Sequence, residues 1–114
     1  MKVDISKGEL IDKITILEIK MNRINDENKL KNVKNELDIL SNLEFDTKHK
    51  TSMKDVNERI WDCEEFIRQL DMETPPPEFI QCARNIHIFN DERARIKKLI
   101  NIETGSEIVE EKSY

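Results

Sequence analysis

The sequence predicts an all-α fold in which four main helices form an antiparallel helical bundle, built of helical hairpins with coiled-coil-like heptad packing. Three observations predict it. The 114 residues include only two glycines and three prolines, too few for the frequent turns of a β-sandwich or an α/β fold. Apolar residues recur at helical spacing along most of the chain. The prolines and Gly105 stand at the predicted helix ends. A chain of this length forms one domain, here residues 1–114.

The first two helices are predicted over residues 7–25 and 27–44. Ser6 and Glu9 have the spacing of a capping box at the start of the first helix. Asn25 and Asp26 interrupt the apolar pattern, and Asp26 can cap the second helix. The heptad positions of the two helices are Leu10, Ile14, Leu17, Met21 and Ile24, then Leu30, Val33, Leu37 and Leu40.

The third and fourth helices are predicted over residues 53–72 and 77–104. Ser52 with Asp55 offers a second capping box, and the prolines at 75–77 separate the two helices. Gly105 is suited to end the fourth helix, before a tail at 105–114. The fourth helix would be roughly 40 Å long, whereas a compact chain of this size has a radius of gyration near 13–14 Å. We therefore expect an elongated bundle and a homodimer or larger assembly.

Composition excludes several classes of function. The net charge of −5 makes nucleic acid an improbable partner, because no basic domain is present to neutralise phosphates. The sequence contains no run of 18 apolar residues that could span a membrane, and its N-terminus has no apolar signal segment. Two cysteines, Cys63 and Cys82, are too few for a disulfide framework and are best interpreted as small hydrophobic residues. We expect a cytoplasmic protein.

Arg93 is the only charged residue within the heptad pattern of the fourth helix. It either extends past its neighbours to solvent, pairs with a buried glutamate, or anchors an anionic ligand. Asn90 and Lys97 share its helical face and complete a strip that could bind an anion. The cations Lys13, Lys20 and Arg23 of the first helix extend the candidate ligand-binding set.

A second group of residues suggests a protein interface. Ile16 and Ile19 lie among charged residues, away from the heptad stripe of the first helix. They indicate either a central helix packed on two sides or a subunit contact. Trp61 lies off the stripe of the third helix and is either packed on a neighbouring helix, an interface anchor or a stacking platform. Tyr114 gives the tail an apolar group with which to dock.

Pairs of carboxylates raise a third alternative. Glu9 with Asp12, and Asp62 with Glu65, are spaced three residues apart and could hold Mg²⁺ if their helices faced each other. This pattern superficially resembles the all-α nucleotide pyrophosphatases. Such pairs also arise by chance in a chain with 24 acidic residues. The sequence contains no zinc, P-loop or dinucleotide motif, so no cofactor is expected.

The chain also resembles an uncharacterised small all-helical domain family of unknown function, found in bacteria, including marine ones, and in their phages. The resemblance is carried by ISKGELIDKITILEIK at 5–20, KLKNVKNEL at 29–37, NDERARIKKLIN at 90–101 and GSEIVEEKSY at 105–114. It implies that the tail belongs to the domain. It also draws attention to the charged residues around Ile16 and Ile19 on the first helix, and to Asn90, Arg93 and Lys97. It implies no activity and no catalytic residues.

Three functions follow as hypotheses. The leading one is a non-enzymatic, oligomeric binding protein that captures an anionic, nucleotide-like small molecule. By analogy with other small helical phage proteins, it would sequester a host signalling nucleotide. The alternatives are a protein–protein interaction module and a Mg²⁺-dependent nucleotide hydrolase.

Overall fold

The computed structural model describes residues 5–71 and 73–105. These residues form four helices and no strand: α1 (Lys7–Arg23), α2 (Glu27–Ser41), α3 (Lys50–Arg68) and α4 (Glu78–Thr104). The prediction of an all-α fold with four helices is confirmed. The predicted docking residue Tyr114 lies outside the described residues. None of the described helices is both long enough and apolar enough to cross a membrane.

Local sequence signals explain most of the helix ends. The Ser6 hydroxyl accepts a hydrogen bond from the Glu9 amide at 3.1 Å, and the Asp26 carboxylate accepts from the two amides at 28 and 29. Gly105 ends α4 in the left-handed conformation, with φ of 64°. Each group satisfies backbone atoms that a helix end leaves without intrahelical partners.

The predicted start of α3 is wrong. The helix begins at Lys50, after His49, and no side chain caps it, so Ser52 lies within the first turn instead of before it. Lys50 bonds to Glu18 at 3.1 Å and to Glu44 at 2.6 Å. The first of these contacts comes from α1, 32 positions away in the chain, and the second from the loop just before α3, and together they hold the first turn where no side chain caps it.

The helices α3 and α4 run antiparallel, since the Cys82 thiol contacts the Cys63 carbonyl near one end and His49 pairs with Glu103 at the other. The same relation holds for α1 and α4. Helix α1 is central and contacts the other three, whereas α2 contacts α1 alone among the described helices.

The buried residues are concentrated at one end of the molecule, where the first part of α1 meets the start of α3 and the end of α4. The apolar cluster there consists of Ile11, Met53, Val56, Ile96 and Ile100, with Phe45 and Phe89 packed against it. Ile19 is also buried, with 2% of its surface exposed. Of the two alternatives for Ile19, its burial favours a central helix packed on more than one side over a subunit contact.

The backbones of α1 and α4 approach closely at Gly8. Its amide donates to Asn101 Oδ1 at 2.7 Å. A Cβ atom at this position would lie 2.5 Å from the backbone carbonyl oxygen of Lys97. Only glycine fits this crossing without a shift of one helix, and the crossing places the start of α1 beside Lys97.

Candidate functional site

A groove lies beside the buried end of the molecule, between α1, α3 and α4. Its volume is about 230 Å³, and its lining residues are Ile16, Lys20, Asn57, Ile60, Trp61, Glu64, Arg68 and Arg93. Three of these side chains are basic and one is acidic, in a chain whose net charge is −5. The groove thus combines apolar surface with a local excess of positive charge, as an anion-binding site requires.

Arg93 is the central cation of this groove. Its residue is half-buried, yet it makes no ion pair or hydrogen bond with any part of the chain that the structure describes. A guanidinium carries five donors and is costly to withdraw from water without partners. Of the sequence-based alternatives, pairing with a buried glutamate is not observed. The arrangement leaves the donors of Arg93 available to a ligand.

Two other grooves on the described surface differ in this respect. In one, Lys50 and Lys54 both pair with Glu18. In the other, Arg59 pairs with Asp55 at 3.1 Å and lies over the ring of Phe89. Every cation of these two grooves has a carboxylate partner, whereas Arg93 has none among the described residues, so the groove at Arg93 is the better candidate for an anion.

A buried polar network forms one end of the groove. The Lys97 ammonium lies 3.1 Å from a carboxylate oxygen of Glu9 and 3.1 Å from one of Asp12. The other oxygen of Asp12 accepts from Asn57 Nδ2 at 2.9 Å. The Lys97 side chain is only 8% exposed and that of Asp12 only 5%. Charges buried this deeply persist because they are paired and hydrogen-bonded.

The electrostatics of Lys97 follow from two opposed effects. Burial lowers the pKa of Lys97, but the attraction of Asp12 and Glu9 outweighs it and holds that pKa above its ordinary value. Lys97 is therefore protonated at neutral pH, and its positive charge forms ion pairs with the carboxylates of Glu9 and Asp12. The ammonium of Lys97, predicted as a ligand contact, has carboxylate partners on α1 in the structure.

The orientation of the Asn57 amide is fixed by its partners. Its nitrogen donates to Asp12 and, at 3.0 Å, to Thr15 Oγ1, whose own hydroxyl donates to the Asp12 carbonyl at 2.8 Å. Both partners need a donor here, so the amide nitrogen must face them and the oxygen Oδ1 must face away. Among the described residues Oδ1 accepts no hydrogen bond, and no fully buried side-chain oxygen lacks a partner. Oδ1 therefore opens onto the groove, although Asn57 is only 5% exposed.

The positions of Trp61 and Arg93 follow from this network. Trp61 lies four residues after Asn57 on α3, and Arg93 lies four residues before Lys97 on α4. Because the two helices are antiparallel, both steps lead the same way, about 6 Å from the buried network. The indole of Trp61 and the guanidinium of Arg93 thus both line the groove, one from α3 and one from α4, with Ile16 and Lys20 supplied by α1.

The remaining predicted residues are dispersed. Lys13 is exposed on α1, Arg23 pairs with Asp62 on α3, and Asn90 does not line the groove. Of the six predicted ligand-binding residues, the groove unites Lys20 with Arg93. It joins them to Ile16 and Trp61, two residues that the sequence suggested for a protein contact.

The carboxylates proposed for Mg²⁺ do not converge. Glu9 and Asp12 surround Lys97, whereas Asp62 pairs with Arg23 and Glu65 lies 3.9 Å from Arg68. Among the described residues, no three His, Cys, Asp or Glu side chains form a group that could hold a metal ion. The four carboxylates thus form no common site in the described structure.

The two cysteines are neighbours at the other end of the α3–α4 hairpin. Burial, together with the adjacent Cys82 thiol, raises the pKa of Cys63 to about 11. A thiol with such a pKa is protonated at neutral pH and is a poor nucleophile. Cys63 therefore offers no activated thiolate for catalysis.

Sequence reasoning missed two residues of the groove, Asn57 and Arg68. Arg68 lies eleven residues after Asn57, on the same face of α3, a spacing that the sequence does display. Asn57 carries no local signal, because its partners Asp12 and Thr15 lie more than 40 residues away in the chain.

One comparison with known proteins decides the family. A family model described as a family of unknown function, DUF6165, matches residues 1–114. The chain belongs to this family. The resemblance to a domain family of unknown function is thereby confirmed. No curated protein and no solved structure matches the chain.

Proposed function

We propose that this member of DUF6165 captures an anionic small molecule in the groove between α1, α3 and α4, and holds it without chemical change. The observation that carries the proposal is Arg93, a half-buried cation with no carboxylate partner among the described residues. Lys20 and Arg68 supply further positive charge, and Arg68 lies at the loose distances of 3.9–4.0 Å from Glu65 and Glu64.

The apolar walls support the same proposal. Trp61 and Ile16 line the groove beside the cations, so a ligand with both a ring and a charged group would match the groove better than a bare inorganic ion. Arg93 opposite Trp61 can both bond an anion and stack on an aromatic ring.

Native mass spectrometry of protein purified gently from cells tests this function. We expect the wild-type chain to carry a stoichiometric small molecule that is released on denaturation. The variant Arg93→Ala should lose it, because removal of charged hydrogen bonds weakens binding roughly 10- to 100-fold. The matched control Arg84→Ala removes an exposed arginine from the same helix and should retain the ligand. A wild-type chain without any bound mass, or equal retention by both variants, would contradict the proposal.

A second candidate, a self-association or protein-interaction role, is favoured by α2. This helix has no buried residue, and Ile39 and Leu43 are 66% and 62% exposed. We propose that this surface pairs with a second copy of the chain. Sedimentation equilibrium should then show a dimer or larger assembly that Ile39→Lys with Leu43→Lys converts to monomer. A wild-type monomer at all concentrations would refute it.

A further inference from the structure

The carbonyl oxygen of Asn57 is the one hydrogen-bond acceptor whose position in the groove is fixed by buried partners. Asp12 and Thr15 hold both hydrogens of its amide nitrogen, at 2.9 and 3.0 Å. The amide cannot turn without placing its oxygen against the Asp12 carboxylate, which only accepts hydrogen bonds. Asn57 as a residue is only 5% exposed, and its Oδ1 accepts no hydrogen bond from the described chain, so the partner of this oxygen in the groove is water or a ligand.

The groove therefore presents three kinds of chemical group, in a fixed order along α3, that a ligand must complement. At the closed end, Asn57 Oδ1 requires an N–H or O–H donor. One turn further, Trp61 offers an aromatic face opposite Arg93. Beyond these, Lys20 of α1 and Arg68 of α3 supply positive charge, with Arg68 roughly 16 Å from Asn57 along the helix.

A ligand that complements the acceptor, the aromatic face and the positive charges is a flat heteroaromatic ring with an amino donor at one edge and an anionic group on the far side. The groove volume of about 230 Å³ is below the 300–1,000 Å³ typical of pockets that enclose drug-sized ligands. It suits a single ring system that inserts edge first and leaves its anionic group at the open, basic end.

We infer that the groove selects a nucleoside monophosphate whose base carries an exocyclic amino group. The inference rests on the proposed function and names the chemical class of its ligand. The amino group donates to Asn57 Oδ1, the base lies between Trp61 and Arg93, and the phosphate is bound by Lys20 and Arg68. Glu64, the one acidic residue of the lining, disfavours additional negative charge, which argues for one phosphate over three.

Calorimetric titration of the full-length wild-type chain tests this selection with a pair of probes that differ in one group. Adenosine 5′-monophosphate carries the amino group, and purine riboside 5′-monophosphate replaces it with hydrogen. We expect the second to bind about tenfold or more weakly, because Asn57 Oδ1 then loses its donor. Arg93→Ala should weaken both nucleotides, and Arg84→Ala neither. The comparison changes the ligand and leaves Asn57 intact, so a folding defect at that buried residue cannot obscure it.

The outcomes separate this inference from the function on which it rests. Equal affinities for the two nucleotides, both reduced by Arg93→Ala, would overturn the amino-group selection and leave anion capture standing. Failure of both nucleotides and of inorganic phosphate to bind would overturn the selection and the proposed function together.

Discussion

Lys97 and Arg93 are one turn apart on α4, yet only one of them has carboxylate partners. The sequence placed both on one face and could not distinguish them, because the partners of Lys97 are Glu9 and Asp12, 88 and 85 positions away in the chain. Arg93 could be predicted, since a charge within an apolar heptad pattern requires an explanation. Asn57 could not, since a lone asparagine on a helix is ordinarily a solvated residue.

The buried network predicts a large cost for removing the Lys97 charge. Lys97→Met leaves two carboxylates without their cation, and we expect the free energy of unfolding to fall by about 3–5 kcal/mol. Urea denaturation measures this difference. The control Lys13→Met removes an exposed lysine of α1 and should change stability by less than about 0.5 kcal/mol. Equal effects of the two substitutions would show that the ion pairs of Lys97 contribute no more to the free energy of unfolding than an exposed lysine does.

The raised pKa of Lys97 predicts a dependence of stability on alkaline pH. Below the ordinary lysine pKa of 10.5, both folded and unfolded chains carry the proton, and the pairing contributes in full. Above it the unfolded chain loses the proton first, so stability falls as pH rises through the pKa of the folded state. Lys50, whose pKa is also raised, adds to the fall. Urea denaturation across pH 9–11.5 should show a shallower decline for Lys97→Met, and an unchanged slope would contradict this account.

At the scale of elements, helix ends were predictable where a local group makes them. Ser6, Asp26 and Gly105 each act on atoms within four residues, so their signals are visible in the sequence. The start of α3 was not predictable, because no side chain caps it and one of the two salt bridges of Lys50 is to Glu18 on α1, 32 positions away in the chain. The groove was also not predictable from local sequence, because three separate helices contribute its lining residues.

The close α1–α4 crossing at Gly8 makes the stability of the protein sensitive to any side chain added at that position. Alanine normally favours a helix over glycine by roughly 0.5–1 kcal/mol. At Gly8, however, the added Cβ would meet the Lys97 carbonyl at 2.5 Å, and displacement of the helix should cost about 1–3 kcal/mol. We expect Gly8→Ala to lower the thermal unfolding midpoint. A raised midpoint would mean that the two helices are not in close contact there.

At the scale of the whole molecule, the described chain is extended and unevenly packed. Its radius of gyration is 15.8 Å and its dimensions are 47 × 37 × 27 Å, compared with about 13 Å for a compact chain of this length. The elongated form agrees with the length predicted for α4. The buried residues lie at one end, and the groove lies directly beside them, so the most firmly packed part of the protein holds the candidate site.

This uneven packing predicts an order of local stability. Amide hydrogen exchange should be slowest in the buried parts of α1, α3 and α4, around Ile14, Val56 and Ile100. It should be fastest among the helices in α2, which has no buried residue and contacts α1 alone. Uniform protection of all four helices would contradict the packing, unless a second copy of the chain covers α2. Dilution distinguishes that case, because protection by a second copy declines with concentration.

A ligand that enters the groove should contact Arg93 and lie close to Trp61, since both residues line it. Trp61 is the only tryptophan in the chain, so its fluorescence reports from the groove without interference. We would titrate the wild-type protein, Arg93→Ala and Arg84→Ala with adenosine 5′-monophosphate. We expect a saturable change in emission for the wild type and Arg84→Ala, and for Arg93→Ala an apparent affinity roughly 10- to 100-fold weaker. A titration without any change in Trp61 emission, or with the same Kd for all three proteins, would contradict it.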